Sequence, residues 1–187
     1  MILRLFTKIT KAVRQKLDLC IELIQSAVES GHKILLFSQF TSMIEILTAR
    51  LQEESISYFV LQGSTKKEQR AQMVEQFNRD DTSVFCISLK AGGTRPGNPD
   101  PARIIVIHYD PWWNVAVENQ ATDRAHRIGQ KNVVTVYKLI AKGTIEEKII
   151  KLQQMKEELA EEILSGDEIK TASFQREELL ELLEERF

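Results

Sequence analysis

Two arginines, Arg124 and Arg127, stand three residues apart in the stretch 110–130, which reads Asp-Pro-Trp-Trp-Asn-Val-Ala-Val-Glu-Asn-Gln-Ala-Thr-Asp-Arg-Ala-His-Arg-Ile-Gly-Gln. The pattern predicts a helix from Val115 to a stop at Gly129, and residues at i and i+3 share one helical face. That face presents two guanidiniums side by side, with Gln120 one turn earlier. A guanidinium offers several N–H donors in a fixed plane and stays charged at any working pH, which suits the pair to phosphate oxygens. The same spacing also fits a solvated surface helix on which Asp123 and Glu118 pair with the arginines. The spacing alone leaves both readings open.

Such a face is useful only where a scaffold holds it. From Lys11 the apolar positions Val13, Leu17, Cys20, Ile21, Ile24, Ala27 and Val28 recur with the period of an amphipathic helix, and Gly31 is its expected stop. Residues 1–10 stay open between a helix fragment and disorder. Lys33–Phe37 reads as a buried parallel strand. Ser38–Thr41 then turns the chain into a second helix with Met43, Ile44, Leu47 and Leu51 inside. Further strands are expected at Ser57–Leu61, Ser83–Ser88, Arg103–His108 and Asn132–Ile140. Thr65 with Glu68 has capping-box spacing and should open a third helix through Phe77.

This alternation predicts an α/β fold, a mostly parallel sheet covered by helices on both faces. Ligands of such sheets bind at the carboxyl ends of the strands. Ser38–Thr41, Ser88–Thr94 and the loop before the arginine helix should gather there. Beyond Gly143, Thr144 with Glu147 predicts a long charged helix to about Leu164. Ser165-Gly166-Asp167 breaks it, and a short acidic helix follows near Glu177–Glu185.

The 187 residues, 43% of them hydrophobic, suit one domain with or without an appendage. The net charge of −2 is unevenly spread: residues 1–143 hold 19 basic and 14 acidic side chains, residues 144–187 hold 6 and 13. Any nucleic-acid contact therefore belongs to the body and not the tail. Cys20 and Cys86 lie in apolar patterns without C-x-x-C spacing, so they read as reduced, buried thiols in a reducing compartment. His32, His108 and His126 form no metal-ligand spacing. No apolar run nears the roughly 20 residues of a membrane span, and no signal peptide is visible. A soluble, intracellular protein with no membrane partner is expected.

Gln120, Asp123, Arg124, His126, Arg127, Gly129 and Gln130, led in by Asp-Pro-Trp-Trp-Asn, resemble the sixth helicase motif of the Swi/Snf family, the ATP-driven double-stranded DNA translocases of superfamily two. Lys33–Phe40 is similar to the fourth motif, Gln62-Gly63-Ser64-Thr65 to the segment after the second strand, and Ser88–Thr94 to the start of the fifth. The resemblance runs from Leu17 to Leu164. It implies the second RecA-like lobe of the motor over residues 1–143, with residues 144–187 as a C-terminal helical, acidic extension.

The resemblance also implies roles. ATP with Mg²⁺ would lie in the cleft between two lobes, held mainly by the first, and Arg124 and Arg127 would reach across as arginine fingers. Gln120 and Asp123 would orient them or touch nucleotide. The amides of Gly92 and Gly93 belong to a loop that in the family touches both nucleotide and DNA. Ser38, Thr41, Lys90 and Thr94 would hold DNA, and Trp113 would touch the duplex groove while Trp112 packs inside. The implied partners are double-stranded DNA, the N-terminal RecA-like lobe of the same protein, and a DNA-bound protein complex. The implied location is the cytoplasmic nucleoid in a prokaryote or the nucleus in a eukaryote.

Two departures qualify this expectation. No G-x-x-x-x-G-K-[ST] is present, and no acidic pair follows a strand where Mg²⁺ would sit, so the chain alone is expected to hydrolyse no ATP. The family's fifth motif continues from Gly-Gly-Thr as Gly-Leu-Asn-Leu-Thr, whereas here Thr94 precedes Arg95-Pro96-Gly97-Asn98-Pro99-Asp100-Pro101. Each proline removes an amide donor. The stretch is either a variant loop that weakens coupling between ATP and DNA, or a local reading-frame shift: ACC-CGG-CCT encodes Thr-Arg-Pro and, less one C, begins Thr-Gly-Leu. The arginines favour a motor lobe. The prolines favour a non-catalytic RecA-like module that binds DNA or protein. A Rossmann-type metabolic enzyme is disfavoured, because no G-x-G-x-x-G follows the first strand.

Overall fold

The computed structural model describes the backbone of residues 2–89, 104–112 and 135–165, and the side chains of 11–89, 104–112 and 135–156. The described residues fall into two compact units, one within Arg14–Ile140 and one within Met1–Val13 together with Ala141–Phe187.

The first helix, α1 (Ile2–Glu29), starts at Ile2, so the open N-terminal segment is helical. It stops because Gly31 takes φ +76°. The Gly31 amide donates to Val28 O (2.9 Å) and the His32 amide to Ala27 O (2.9 Å). These two bonds satisfy carbonyls that a helix end otherwise leaves open. The same device ends α2 (Thr41–Glu53): Ser55 donates to Gln52 O and Ile56 to Leu51 O, with Ser55 at φ +57°. Here a residue with a Cβ occupies the left-handed region.

Five strands, β1 (Lys33–Ser38), β2 (Tyr58–Leu61), β3 (Val84–Ser88), β4 (Ile104–His108) and β5 (Thr135–Lys138), form one sheet in the order β2-β3-β1-β4-β5. Every pairing is parallel, with Ser38 opposite Ser88 and Phe37 opposite His108. The predicted strands are all present; residues 103 and 132–134 lie outside the described residues.

Strand alternation divides the core between the two faces. Ile34, Leu36, Val84, Cys86 and Ile107 pack with Cys20, Ile21 and Ile24 of α1 and with Ile44, Leu47 and Leu51 of α2. Leu35, Phe37, Phe85, Ile87 and Val106 point to the other face and pack with Phe77 of α3 (Lys67–Arg79). From β1 the chain crosses to the β2 edge over one face, then returns to β3 over the opposite face. Right-handed crossovers require that alternation. The result is the parallel α/β sheet, helix-covered on both faces, that the sequence pattern predicts.

One predicted cap is corrected. Helix α3 begins at Lys67 with Lys66 as its N-cap and no capping side chain. Thr65 is diverted, because its Oγ1 accepts the Gln62 amide (3.1 Å). Arg70 then fixes this turn: Nε donates to Thr65 O (2.7 Å) and NH2 to Gly63 O (2.9 Å). Arg70 is thereby held against the turn, with Lys66 and Lys67 exposed beside it. At the other end of α3, Lys33 donates to the carbonyls of Phe77 and Asp80, the favourable place for a cation on a helix dipole.

In the second unit the helix α4 (Ile145–Ser165) is capped by Thr144, whose Oγ1 accepts the Glu146 amide (3.2 Å). Glu147 closes on Gly143 N (2.9 Å) and not on the cap residue itself, while Glu146 takes Ala141 N (2.8 Å). The capping box is thus spread over two acidic residues.

A Cβ on Gly31 would meet nothing within 4 Å, so Gly31→Ala tests the backbone alone. It should destabilise by about 1 kcal/mol, and Ser55→Gly should stabilise by a similar or smaller amount, both read as shifts of the denaturant midpoint. Burial pushes the Cys20 thiol up to about 12, partly offset by Lys16, and pushes Cys86 further up with Cys20 adding to it. The thiolate is the reactive form, and a raised value keeps it scarce. Both thiols should resist an aromatic disulfide reagent at about pH 8 in the native protein and react on unfolding.

Candidate functional site

The strand order places β1 beside β4, and from these neighbours the chain leaves in opposite directions across the sheet, to β2 and to β5. In open parallel sheets the crevice at such a point is where ligands bind. The residues leaving β1 are Ser38, Gln39 and Phe40, and those leaving β4 are Tyr109, Asp110, Pro111 and Trp112.

Polar groups are concentrated here. Ser38 and Asp110 are both buried. Ser38 Oγ donates to Asp110 Oδ2 (2.5 Å), and the same oxygen accepts the Gln39 amide (3.1 Å). Gln39 Nε2 donates to Pro111 O (3.1 Å). The Ser38 oxygen also accepts the Phe40 amide (3.2 Å), a serine turn that bends the chain into α2. Short O–H···O distances are typical where a carboxylate accepts.

Around this cluster His108 stacks on Phe37 with ring centroids 5.3 Å apart, and Lys16 Nζ sits 4.5 Å from the centre of the Tyr109 ring. Lys16 is itself buried, and its charge and that of Asp110 act on Cys20 in opposite senses.

Helix α2 opens on this edge. Its N-cap, Phe40, has no side chain that can cap, and it is 53% exposed beside exposed Thr41 and Ser42. An uncapped N-terminus carries unsatisfied amides and the positive end of the helix dipole, which favour an anion.

Of the residues expected to touch DNA or nucleotide, Ser38 and Thr41 are described. Thr41 is exposed at the first turn of α2, whereas the Ser38 hydroxyl is turned inward to Asp110. Ser38 therefore shapes the loop here, and the exposed groups beside it are Phe40 and Thr41. Lys90, Gly92, Gly93, Thr94, Trp113, Gln120, Asp123, Arg124 and Arg127 lie outside the described residues, as does the stretch 95–101. Trp112 is half-buried.

Sequence reasoning gave no role to Asp110, Gln39 or Phe40. The available signal was an acidic residue directly after a buried strand and before a proline, at the ligand-binding edge. Among the described residues no cluster of His, Cys, Asp or Glu could hold a metal, and no helix is long and apolar enough to cross a membrane.

Comparisons with known proteins agree with this geometry. The helicase conserved C-terminal domain family matches residues 15–129. An uncharacterized ATP-dependent helicase of Mycoplasma pneumoniae is 45% identical over 170 residues, 90% of this chain and 16% of that protein. The human chromatin-remodeling ATPase INO80 is 43% identical over 154 residues, 82% of this chain and 10% of that protein. The putative ATP-dependent helicase/translocase YwqA of Bacillus subtilis is 41% identical over 155 residues, 81% and 16% of the two chains. The chain thus spans a small part of the curated relatives it matches. The crystal structure of the C-terminal part of the Fun30 ATPase domain superposes with a TM-score of 0.64 at 34% identity, covering 73% of this chain and 44% of that one. A parallel sheet with its polar exits on one edge, the helicase motifs in order and these relatives have one explanation: the chain belongs to the helicase conserved C-terminal domain family, with the C-terminal RecA-like lobe of Swi/Snf-type proteins.

Proposed function

We propose that this chain is the C-terminal motor lobe of an ATP-dependent double-stranded DNA translocase or remodeller, supplying arginine fingers and DNA-backbone contacts. The observation that carries the reading is the parallel register. It sets the exits of β1, β3 and β4 side by side, Ser38 opposite Ser88 and Phe37 opposite His108. The segments that begin at those exits in the sequence are the ones with motif residues: Thr41, then Lys90 to Thr94, then Trp113 to Arg127. DNA and nucleotide would therefore be handled from one edge.

In this reading ATP lies between this lobe, taken as residues 1–143, and an upstream lobe of the same protein, with residues 144–187 as an extension. Arg124 and Arg127 neutralise charge that builds on the γ-phosphoryl oxygens, and Gln120 and Asp123 orient them. Gly92 and Gly93 offer amides to phosphate. The donor set suits a triphosphate. Mg²⁺ is assigned to the upstream lobe, as the family resemblance implies. Thr41, the open amides of α2, Lys90 and Thr94 hold backbone phosphates without reading sequence, and Trp113 meets the groove. Nucleosomes or other DNA-bound complexes are the partners, in a nucleoid or a nucleus.

The proline-bearing stretch Arg95–Pro101 favours a second reading, a RecA-like module that binds DNA or protein without contributing to hydrolysis. The deciding experiment is ATP turnover by the full-length protein with and without duplex DNA. The motor reading expects stimulation by DNA of any sequence, weakened by salt, and a loss on the order of 10³ in rate for Arg127→Ala. Unchanged turnover in Arg127→Ala contradicts the finger assignment, and a full-length protein that binds duplex without hydrolysing ATP supports the module.

A further inference from the structure

The pairing of β1 with β4 runs from Lys33 opposite Ile104 to Phe37 opposite His108 and ends with the Tyr109 amide donating to Phe37 O (2.9 Å). The sheet does not need more bonds to keep its register. Yet beyond that pairing three further bonds join the two exits: Ser38 Oγ to Asp110 Oδ2, the Gln39 amide to Asp110 Oδ2, and Gln39 Nε2 to Pro111 O. They span separations of 71 and 72 residues, so no local turn accounts for them. Buried polar groups of this kind are costly unless fully partnered, and an apolar contact would hold the same two strands.

What the bonds join is informative. One exit becomes the open N-terminus of α2, with Phe40 and Thr41 exposed. The other runs through Trp112 into the sequence that carries Arg124 and Arg127. On the motor reading above, the first exit meets DNA and the second leads to ATP.

We propose that Asp110, Ser38 and Gln39 form a clasp between the two exits, through which DNA held at the start of α2 fixes the position of the segment bearing the arginines. Asp110 and Gln39 are positioning residues and touch neither ligand. Asp110 receives two donors from the β1 exit, so a shift of that loop carries the root of the arginine segment with it. Gln39 adds a second attachment at Pro111, which resists rotation about the first. This inference rests on the motor reading.

The test uses the full-length protein with Gln39→Ala, which spares the buried carboxyl, and Asp110→Asn, which keeps its shape. Four quantities are compared with the parent: thermal midpoint, duplex affinity, turnover without DNA, and turnover with saturating DNA. The clasp predicts a roughly tenfold loss of DNA stimulation in both variants, within the range usual for coupled sites. Gln39→Ala should keep its midpoint, duplex affinity and DNA-free turnover. Full stimulation in both variants overturns the clasp while leaving the motor reading in place. A proportional fall of all turnover with a lowered midpoint in Gln39→Ala also overturns it, since a purely structural contact behaves so. A parent protein that DNA does not stimulate overturns the clasp and the motor reading together.

Discussion

A carboxyl group taken out of water must have its oxygens filled, because an unpartnered buried polar group costs on the order of 1–3 kcal/mol and a charged one more. At Asp110 Oδ2 that demand is met by two donors from the neighbouring strand's exit, the Ser38 hydroxyl and the Gln39 amide. The constraint reaches outward in both directions. It holds the Ser38 hydroxyl inward, two residues before the Phe40 N-cap of α2, which has no capping side chain. It also fixes the start of the chain that continues to the arginines.

The rest of the unit supplies a rigid base for that edge. Two apolar clusters, one on each face, meet through the alternating side chains of β1, so that Ile34 and Leu36 belong to one and Leu35 and Phe37 to the other. Helices are stopped where they must be by left-handed residues at Gly31 and Ser55, and the turn after β2 is held by Arg70 on its carbonyls. Each device acts on the backbone where an element ends. Chain ends of elements are the parts of an α/β fold that carry chemistry, so precision there matters more than in the strands themselves.

The sheet and its helices were legible in the sequence because their signals are local: a buried run at Lys33–Phe37, a helical period in α1, a glycine at Gly31. Thr144 was legible for the same reason. Thr65 was misread because capping spacing cannot show that its hydroxyl is taken by Gln62. The resemblance implied Ser38 as a DNA ligand, whereas its hydroxyl goes to a residue 72 positions away. Asp110 had no reading for the same cause. Motifs identify which residues matter, and only the fold shows which of them face the ligand and which hold the others.

The account's central claim is that the β1 exit is a DNA-facing surface of a motor lobe. The most direct test places a photo-crosslinking phenylalanine derivative at Phe40, an exposed aromatic position that should tolerate it, in the full-length protein with labelled duplex. The same probe at Tyr137, exposed on the edge strand β5, serves as the control. The account predicts ultraviolet-dependent crosslinks to duplex of unrelated sequences at position 40, lost with rising salt, and few at position 137. Crosslinks at 137 with none at 40 would contradict it.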